Sequence, residues 1–485
     1  MNKMKTPLTL CGCWALVGLV VIGLSPWALG QSKKSGPALP DAPAAVLLAQ
    51  AATEPMQAPD ASGPGNGSNT PGQTSSGKQQ LTRMQAEQMA MKNNPQVTVA
   101  HLLALAQHEV YRETRSAELP TANAAVTAVD AKDASRISAG SLTASRLFEH
   151  AGAGGGFSQL ITDFGKTRNL VASSALQEKA QNANALATQY DIELATDQAF
   201  YNALQAQQTR KVAQQNVTAR QTVDSQVNQM TQNKLKSTLD LSFADVNLSQ
   251  AKLLQLDAEN NANSAMAALD AVLGLDRSVD FDLMDEGGEI QQPPADLNQL
   301  VEEGLKQRPD LQATMYSQQA AVKFSKAQRD QMLPSISASG TLGSVPIRPA
   351  QYYVTNWWGA IGVNLNVPIF NGFLYSAQAK EAAIRARAAS EQTRDLRDRI
   401  VRDVRTAWLA ANTSYQRVSV TAQLLQQANL GLKLAQTRYQ MGLSSIVELS
   451  QAEYQQTDAA IGNANAQYQY KLSLAALNYQ IGTMP

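Results

Sequence analysis

From residue 81 to its C-terminus the chain repeats itself, and this repeat constrains the fold more than any other feature. The pair Asn94-Pro95 recurs as Arg308-Pro309 at an offset of 214 residues, and Leu273-Gly274 recurs as Ile481-Gly482 at an offset of 208 residues. Landmarks that recur in the same order at two fixed offsets indicate two copies of one structural unit. The predicted units are a first repeat, a connecting segment and a second repeat, at residues 81–279, 280–296 and 297–485.

Each copy is predicted to contain a helix, two extended segments and a long helical hairpin. A proline starts the helix, because the N–H at the first helical position has no partner within the helix and proline loses nothing by lacking it. The helix ends before Pro120 in the first copy and before Pro334 in the second. In the long helix of the second copy, a series of mostly apolar residues from Leu396 to Leu432, which includes Ala422 and Asn429, recurs with a period near 3.5, which is typical of supercoiled helices. In the first copy, residues 166–232 would form a rod of about 100 Å.

The extended segments indicate strands of a membrane barrel. In residues 361–367 every second residue is branched and apolar and the others are Gly or Asn, and residues 335–342 alternate in the same way with Ser and Thr. A half-buried soluble strand also alternates, but Ser, Asn and Gly in place of Lys and Glu favour a water-filled lumen. The corresponding segments of the first copy, 122–129 and 157–164, alternate poorly. Four aromatic residues before the best strand predict an interfacial girdle: Tyr352, Tyr353, Trp357 and Trp358.

Four strands per chain are too few to close a membrane barrel, because the smallest have eight. Open sheet edges are not tolerated in lipid. Strands from several chains must therefore combine, and the pattern alone allows eight strands from two chains or twelve from three.

The N-terminus predicts export from the cytoplasm. Lys3 and Lys5 precede an apolar stretch that ends at a small-residue site before Gln31, so residues 1–30 are predicted to be a secretory signal peptide rather than a membrane anchor. Both cysteines, Cys11 and Cys13, lie inside it. Residues 31–80 are rich in Pro, Gly, Ser and Ala and are predicted to be a flexible segment.

Composition excludes several classes of function. The 40 basic and 40 acidic side chains balance, so the chain lacks the positive surplus of a nucleic-acid binder.

The triplet Asp163-Phe164-Gly165 resembles a kinase motif, but neither a catalytic loop nor the required lysine accompanies it. We therefore expect no enzyme activity, no cofactor and no metal site.

Several motifs occur in order along both copies: Leu81-Thr82, Lys92-Asn93-Asn94-Pro95, Leu119-Pro120, the turn from Leu160 to Arg168, and Arg438-Tyr439-Gln440-Met441-Gly442-Leu443. This ordered set resembles the TolC-like outer-membrane efflux proteins. The resemblance covers residues 81–485 and implies a homotrimer with a shared twelve-stranded transmembrane β-barrel and an α-barrel of long coiled-coil helices, a mainly α fold with a small β part. It also implies an outer-membrane location in a Gram-negative-type envelope, with a large periplasmic portion.

The resemblance places function at the tips of the hairpins. It implies adaptor-docking tips at Lys234, Leu235 and Lys236 in the first copy and at Gly442, Leu443 and Ser444 in the second. It also implies a periplasmic gate formed by Tyr439 and an acidic ring of Asp240 and Glu448, with Gln451 where the family often has a second acid. The alternative is that both acids are solvated charges at helix N-termini, where the helix dipole favours them.

The family implies an exit duct that works passively with a periplasmic adaptor protein and an inner-membrane pump. The sequence leaves the exported cargo open among drugs, metal ions and polypeptides. A different function, a non-conducting secreted coiled-coil spacer or tether of the envelope, shares the long helices but does not explain paired strands in both copies.

Overall fold

The computed structural model describes residues 79–130, 150–277, 279, 281–285, 290–347 and 357–484, all within one compact unit, Ser75–Pro485. The predicted signal peptide, the predicted flexible segment up to residue 78, and Tyr352 and Tyr353 of the predicted girdle lie outside the described residues.

The two repeats contain the same series of elements. The first comprises β1 (Gln79–Leu81), α1 (Arg83–Asn93), α2 (Pro95–Ser116), β2 (Thr121–Val129), β3 (His150–Thr162), α3 (Lys166–Gln232) and α4 (Thr238–Val272). The second comprises β4 (Phe281–Leu283), α5 (Leu297–Gln307), α6 (Pro309–Asp330), β5 (Ser335–Ile347), β6 (Trp357–Asn366), α7 (Leu374–Gln440) and α8 (Ile446–Ile481). Helices α3 and α7 each have 67 residues. The predicted class, mainly helical with a small sheet part and two repeats, is confirmed.

Helices α2 and α6 show how the repeat is encoded locally. Both begin with proline and both have 22 residues. In the first copy the side chain of Asn94 caps the helix by accepting from the Gln96 N–H at 2.9 Å. In the second copy Arg308 replaces the asparagine, and its Nη2 donates instead to Asp310 Oδ2 at 2.6 Å.

Strands and helices are arranged in the same lateral order. The four long strands form one antiparallel sheet in the order β2-β3-β5-β6. In the adjoining helical layer, α2 packs on α3, α3 on α6 and α6 on α7. Among the described residues the edge strands β2 and β6 pair on one side only. A single chain is therefore an open segment with two free sheet edges.

A second, two-stranded sheet was not predicted. Strands β1 and β4 pair in parallel, with Gln79 opposite Phe281 and Leu81 opposite Leu283. Gln79 and Gln80 therefore belong to a strand, although they end the segment predicted to be flexible. Leu81, Phe281 and Leu283 are buried in a core with α1, α3 and α4, so three residues per strand are held by packing on helices rather than by a strong strand pattern.

The supercoil period predicted for α7 is confirmed, with one correction. Buried or half-buried residues recur every seven positions in two series, from Ile400 to Ala435 and from Val404 to Tyr439. Ala422 and Asn429, which the apolar pattern assigned to this stripe, are exposed, and their neighbours Thr421 and Ala428 are half-buried in their place. Small or hydroxyl-bearing residues fill close interhelical positions here, and an apolar pattern locates them poorly. At one of them Ser414 Oγ lies 3.1 Å from Ser473 Oγ.

None of the described helices carries an apolar stretch long enough to cross a membrane.

Candidate functional site at the ends of the two hairpins

The two hairpin turns have the same backbone geometry. In the α7–α8 turn the N–H of Leu443 donates to the Arg438 carbonyl at 2.8 Å, and in the α3–α4 turn the N–H of Leu235 donates to the Met230 carbonyl at 2.8 Å. Each bond spans a residue in the left-handed region, as in a Schellman motif. That residue is Gly442 with φ 72° in the second copy and Lys234 with φ 61° in the first. Lysine therefore takes the position of the glycine without changing the turn.

The structure brings the predicted tip residues of both repeats together. An apolar cluster at this end joins Val227 and Ala244 of the first hairpin to Ala435, Ile446 and Leu449 of the second. Leu235 and Leu443, at the outermost points of the two turns, are exposed by 73% and 67%. The tips thus form one packed end that presents two leucines to the surroundings.

Asp240 and Glu448 occupy equivalent places, three residues after an N-cap serine. The carboxylate of Asp240 accepts from the N–H of Ser237 at 3.3 Å, while the Glu448 N–H donates to Ser445 Oγ at 3.4 Å. Glu448 Oε1 also lies 3.4 Å from Arg438 Nε. The Asp240 carboxylate therefore helps to start α4, which is the structural role that sequence analysis weighed against a gate, whereas the Glu448 carboxylate faces Arg438. Gln451 is exposed one turn further along α8.

Tyr439 is the tip residue whose environment is most unusual. Its ring is 8% exposed, and its hydroxyl has no hydrogen-bond partner among the described residues. Burial, followed by the negative charge of Asp240, raises the pKa of the Tyr439 phenol. Lys236 Nζ lies 4.4 Å from the ring centroid. The Tyr439 phenol therefore stays neutral, and its ring contacts the first hairpin through Lys236.

A buried ion pair further from the tips was not predicted. Arg220 of α3 donates to Glu453 of α8, and both side chains are less than a tenth exposed. Nearer the tip, Asn247 Nδ2 donates to Ser450 Oγ at 2.7 Å. These contacts hold α8 against the first hairpin. Sequence alone gives no signal for them, because the ion-pair partners are 233 residues apart.

At the opposite end of the molecule, the sheet has one apolar and one polar face. Register places Phe157, Gly340 and Ile361 side by side on the apolar face, and there the Phe157 ring covers Gly340. The neighbouring row on the polar face includes Ser339, and Asn364 Nδ2 donates to its hydroxyl at 3.2 Å.

The two tryptophans of the predicted girdle lie on opposite faces of the sheet. Trp357 pairs with Ser344 in a row of the apolar face, and Trp358 pairs with Gly343 on the polar face, because side chains alternate along a strand. Of these two tryptophans, Trp357 can therefore belong to a girdle on the apolar face and Trp358 cannot.

Comparisons with known proteins agree with this architecture. The sequence profile of the family described as "Outer membrane efflux protein" matches residues 300–483. Outer membrane protein TolC of Salmonella enteritidis is 25% identical over 418 residues, which cover 83% of this chain and 82% of that protein. Outer membrane protein TolC of Vibrio cholerae is 25% identical over 413 residues, covering 81% and 89%. The Campylobacter jejuni CmeC outer membrane channel has a TM-score of 0.73 at 20% identity, over 83% of this chain and 85% of CmeC.

Proposed function

The chain belongs to the TolC-like outer-membrane efflux protein family, and from this premise we propose that three copies form a passive exit duct through the periplasm and outer membrane. It is an outer-membrane protein with a periplasmic extension. In the proposal, a periplasmic adaptor protein joins the duct to an inner-membrane pump, which supplies the energy and most of the selectivity for cargo.

The observation that carries this proposal is the shared lateral order of strands and helices. The sheet ends at β2 on one side and β6 on the other, and the helical layer ends at α2 and α7. Strand β2 runs away from the helices and β6 returns to them, so β6 of one copy can pair antiparallel with β2 of the next. Three copies then give twelve strands above twelve helices. Two copies would also reach the eight-strand minimum, and the family favours three.

The two faces of the sheet fit such a tube. Phe157, Ile361 and the other apolar residues of one face would contact lipid, and Asn123, Ser339 and Asn364 of the other would line water, as the alternation of membrane barrels requires. In the single chain Ile361 is 83% exposed. A large exposed apolar surface marks a contact with lipid or another chain.

The hairpin tips form the proposed gate and docking end. Threefold symmetry would bring six carboxylates together from Asp240 and Glu448, and crowded carboxylates attract cations. Tyr439 would hold the two hairpins in register behind this ring. The adaptor would dock on the residues of the two turns: Lys234, Leu235, Lys236, Gly442, Leu443 and Ser444.

Single-channel recording of the purified protein in planar bilayers tests both parts of the proposal. We expect conducting trimers whose current is blocked by multivalent cations, and a lower cation affinity in the double variant Asp240→Asn, Glu448→Gln. Asn at position 240 keeps a side-chain oxygen that can accept from the Ser237 N–H. The matched control is Asp257→Asn, Glu259→Gln, which removes the same charge from α4 away from the tips.

The outcomes separate the possible functions. Unchanged cation block in the tip variant would contradict the acidic ring while leaving the duct intact. Trimers that never conduct would contradict the duct and favour the non-conducting envelope spacer.

A further inference from the structure

We propose that each copy of the chain binds the phosphate headgroup of an anionic phospholipid, of the phosphatidylglycerol type, in a groove between α6 and α7 just below the sheet. The inference rests on the proposed function, which puts the sheet in the outer membrane and the helices in the periplasm. The lipid belongs to the leaflet that faces the periplasm.

The groove is positively charged. Its volume is about 310 Å³, and the polar residues that line it are Ser325, Lys326 and Arg329 of α6 and Ser376 and Lys380 of α7. We call these five residues the basic groove. Arg329 has a long ion pair of 3.5 Å with Asp330, and neither lysine has an acidic partner within the described part of the chain. None of the described residues that line the cavity carries a carboxylate. Three cations with so little compensation favour an anionic ligand.

The chemistry of the basic groove suits a phosphate group. Arginine can donate two parallel hydrogen bonds to phosphate oxygens, while lysine acts as a strong point charge. The Ser325 hydroxyl can add a neutral donor at the same place, while the Ser376 hydroxyl already donates to the Phe373 carbonyl at 2.8 Å. A zwitterionic headgroup would bring its own cation into this positive surface, so we expect a net anionic headgroup to bind better.

The basic groove also lies at the right depth. Arg329 is one residue from the end of α6 at Asp330, and Lys380 is six residues from the start of α7 at Leu374, which is about 9 Å of helix. The headgroup layer on each side of a bilayer core is about 5–8 Å thick. Long basic side chains reach into such a layer from below.

Apolar residues mark the adjacent edge of the membrane core. Between β6 and α7, Ile369, Phe370 and Phe373 are exposed by 93%, 76% and 73%, and the two phenylalanine rings meet edge to face at 5.5 Å. Exposed aromatic residues are typical of membrane interfaces. These apolar side chains would contact the acyl chains of the leaflet, and the three cations next to them would lie at the level of its headgroups.

The hand of the sheet determines whether the basic groove opens on the side of the apolar sheet face or on the side of the polar face. The Leu342 carbonyl points towards β3, 3.1 Å from an ideal Cβ on Gly154, whereas the Thr341 carbonyl points towards β6, 3.4 Å from an ideal Cβ on Gly359. For L-residues this fixes the hand: seen from the apolar face with β5 running upward, β3 lies to the right and β6 to the left.

The helices below follow the same hand, with α3 to the right of α6 and α7 to its left. Ala320 faces α3, because its carbonyl accepts from Ser173 Oγ at 2.8 Å. On a right-handed helix that runs upward, Lys326 then projects to the side of the apolar sheet face. Lys380 of α7 lines the same groove as Lys326. The basic groove therefore opens outward, towards lipid, and not into the lumen.

Native mass spectrometry of purified trimers tests the proposal. Wild type and the triple variant Lys326→Gln, Arg329→Gln, Lys380→Gln are titrated in detergent with phosphatidylglycerol or phosphatidylcholine. The matched control, Arg394→Gln, Arg397→Gln, Lys433→Gln, removes three charges from exposed positions of α7 further from the sheet. A further arm adds excess inorganic phosphate to the wild-type complex with phosphatidylglycerol.

We expect wild type and control to bind phosphatidylglycerol at least tenfold more tightly than phosphatidylcholine. The triple variant should lose at least tenfold in affinity while conducting normally, and inorganic phosphate should not displace the lipid. Equal binding of both lipids, an unaffected triple variant, an equally weakened control, or displacement by phosphate would each overturn the lipid site. Wild-type protein that neither trimerises nor conducts would instead overturn the proposed function.

Discussion

The ammonium group of Lys236 lies 4.4 Å from the centre of the Tyr439 ring. Lys236 belongs to the turn of the first hairpin and Tyr439 to the last turn of α7, so this cation–π contact joins the ends of the two repeats. Its strength is about 0.5–2 kcal/mol, larger when the pair is desolvated. Because the ring is buried, parting the hairpins would also expose it.

Removing the ring should loosen the tips. In Tyr439→Leu the loss of the cation–π contact should raise the population of parted tips by about 2- to 30-fold, measured as open time in single-channel recordings. Tyr439→Phe keeps the ring and removes only a hydroxyl without a hydrogen-bond partner in the described structure, so it should behave like wild type. Equal effects of the leucine and phenylalanine variants would show that the ring contact does not restrain the tips.

Removing one partner of the buried pair Arg220 and Glu453 should destabilise the protein, whereas replacing both partners with apolar residues should leave its stability nearly unchanged. Burial lowers the pKa of the Arg220 guanidinium and raises the pKa of the Glu453 carboxyl in spite of their mutual attraction, so desolvation outweighs the charge interaction. Arg220→Met or Glu453→Leu alone should reduce stability by about 3–5 kcal/mol, and the double variant should recover most of it. Thermal unfolding followed by helical circular dichroism measures this. Additive losses would contradict the prediction.

Buried carboxyls near the N-terminus of the described chain should make stability depend on pH. Glu87 of α1 and Asp197 of α3 share Arg83, whose Nη1 lies 2.8 Å from Glu87 Oε1 and 3.1 Å from Asp197 Oδ2. Burial, reinforced by a hydrogen bond to Asp197 and its charge, raises the pKa of Glu87 to about 8. Burial and the charge of Asp197 raise the pKa of Glu193 to about 7.

A carboxyl whose pKa is raised in the folded state stabilises the protein below its unfolded pKa of about 4.3, and this contribution is lost as pH rises through the folded value. The unfolding temperature should therefore fall from about pH 5 to about pH 8.5. Glu87→Gln, which fixes the neutral form, should flatten this slope, and the exposed control Glu109→Gln should not. A full slope in Glu87→Gln would contradict the assignment.

Lys234 stands in a left-handed backbone conformation that favours glycine. The substitution Lys234→Gly should stabilise the hairpin by about 0.5–1 kcal/mol, because relief of the side-chain clash exceeds the added entropy of the unfolded chain. The reciprocal change Gly442→Ala at the equivalent turn should destabilise it by about 1 kcal/mol. Thermal unfolding midpoints check both. A lower midpoint for Lys234→Gly would mean that the lysine side chain makes a stabilising contact at the turn.

Much of the fold could be predicted from the sequence because its signals are local and occur twice. Pro95 and Pro309 start equivalent helices, and the heptad series through Ile400 and Val404 marks the long supercoiled helix. The tip turn of the first copy could not be predicted with the same clarity, because Lys234 adopts a conformation usually signalled by glycine.

Contacts between distant segments could not be predicted. The pairing of β1 with β4 depends on packing against three helices, and the Arg220–Glu453 pair depends on how α8 lies against α3. The aromatic girdle was predicted from clustering alone, and strand alternation separates Trp357 from Trp358. Asp240 and Glu448 were found by their position after the turns, in the first turn of α4 and of α8.

The central claim is that three copies close one tube through β2 and β6. Cys11 and Cys13 are the chain's two cysteines, and both lie in the predicted signal peptide, so introduced thiols can be targeted cleanly. Asn123→Cys in β2 is combined in turn with Ala360→Cys, Gly362→Cys or Asn364→Cys on the same face of β6. Within one chain these edges are three strand spacings, about 14 Å, apart, beyond the reach of a short thiol cross-linker.

The most direct test is to treat outer membranes that contain these double variants with that cross-linker and to analyse the products on a denaturing gel. We predict that at least one pair gives a product of three times the chain mass and nothing larger, while each single variant stays monomeric. Products that stop at two chains, continue beyond three, or never form with any pair would contradict a closed trimer.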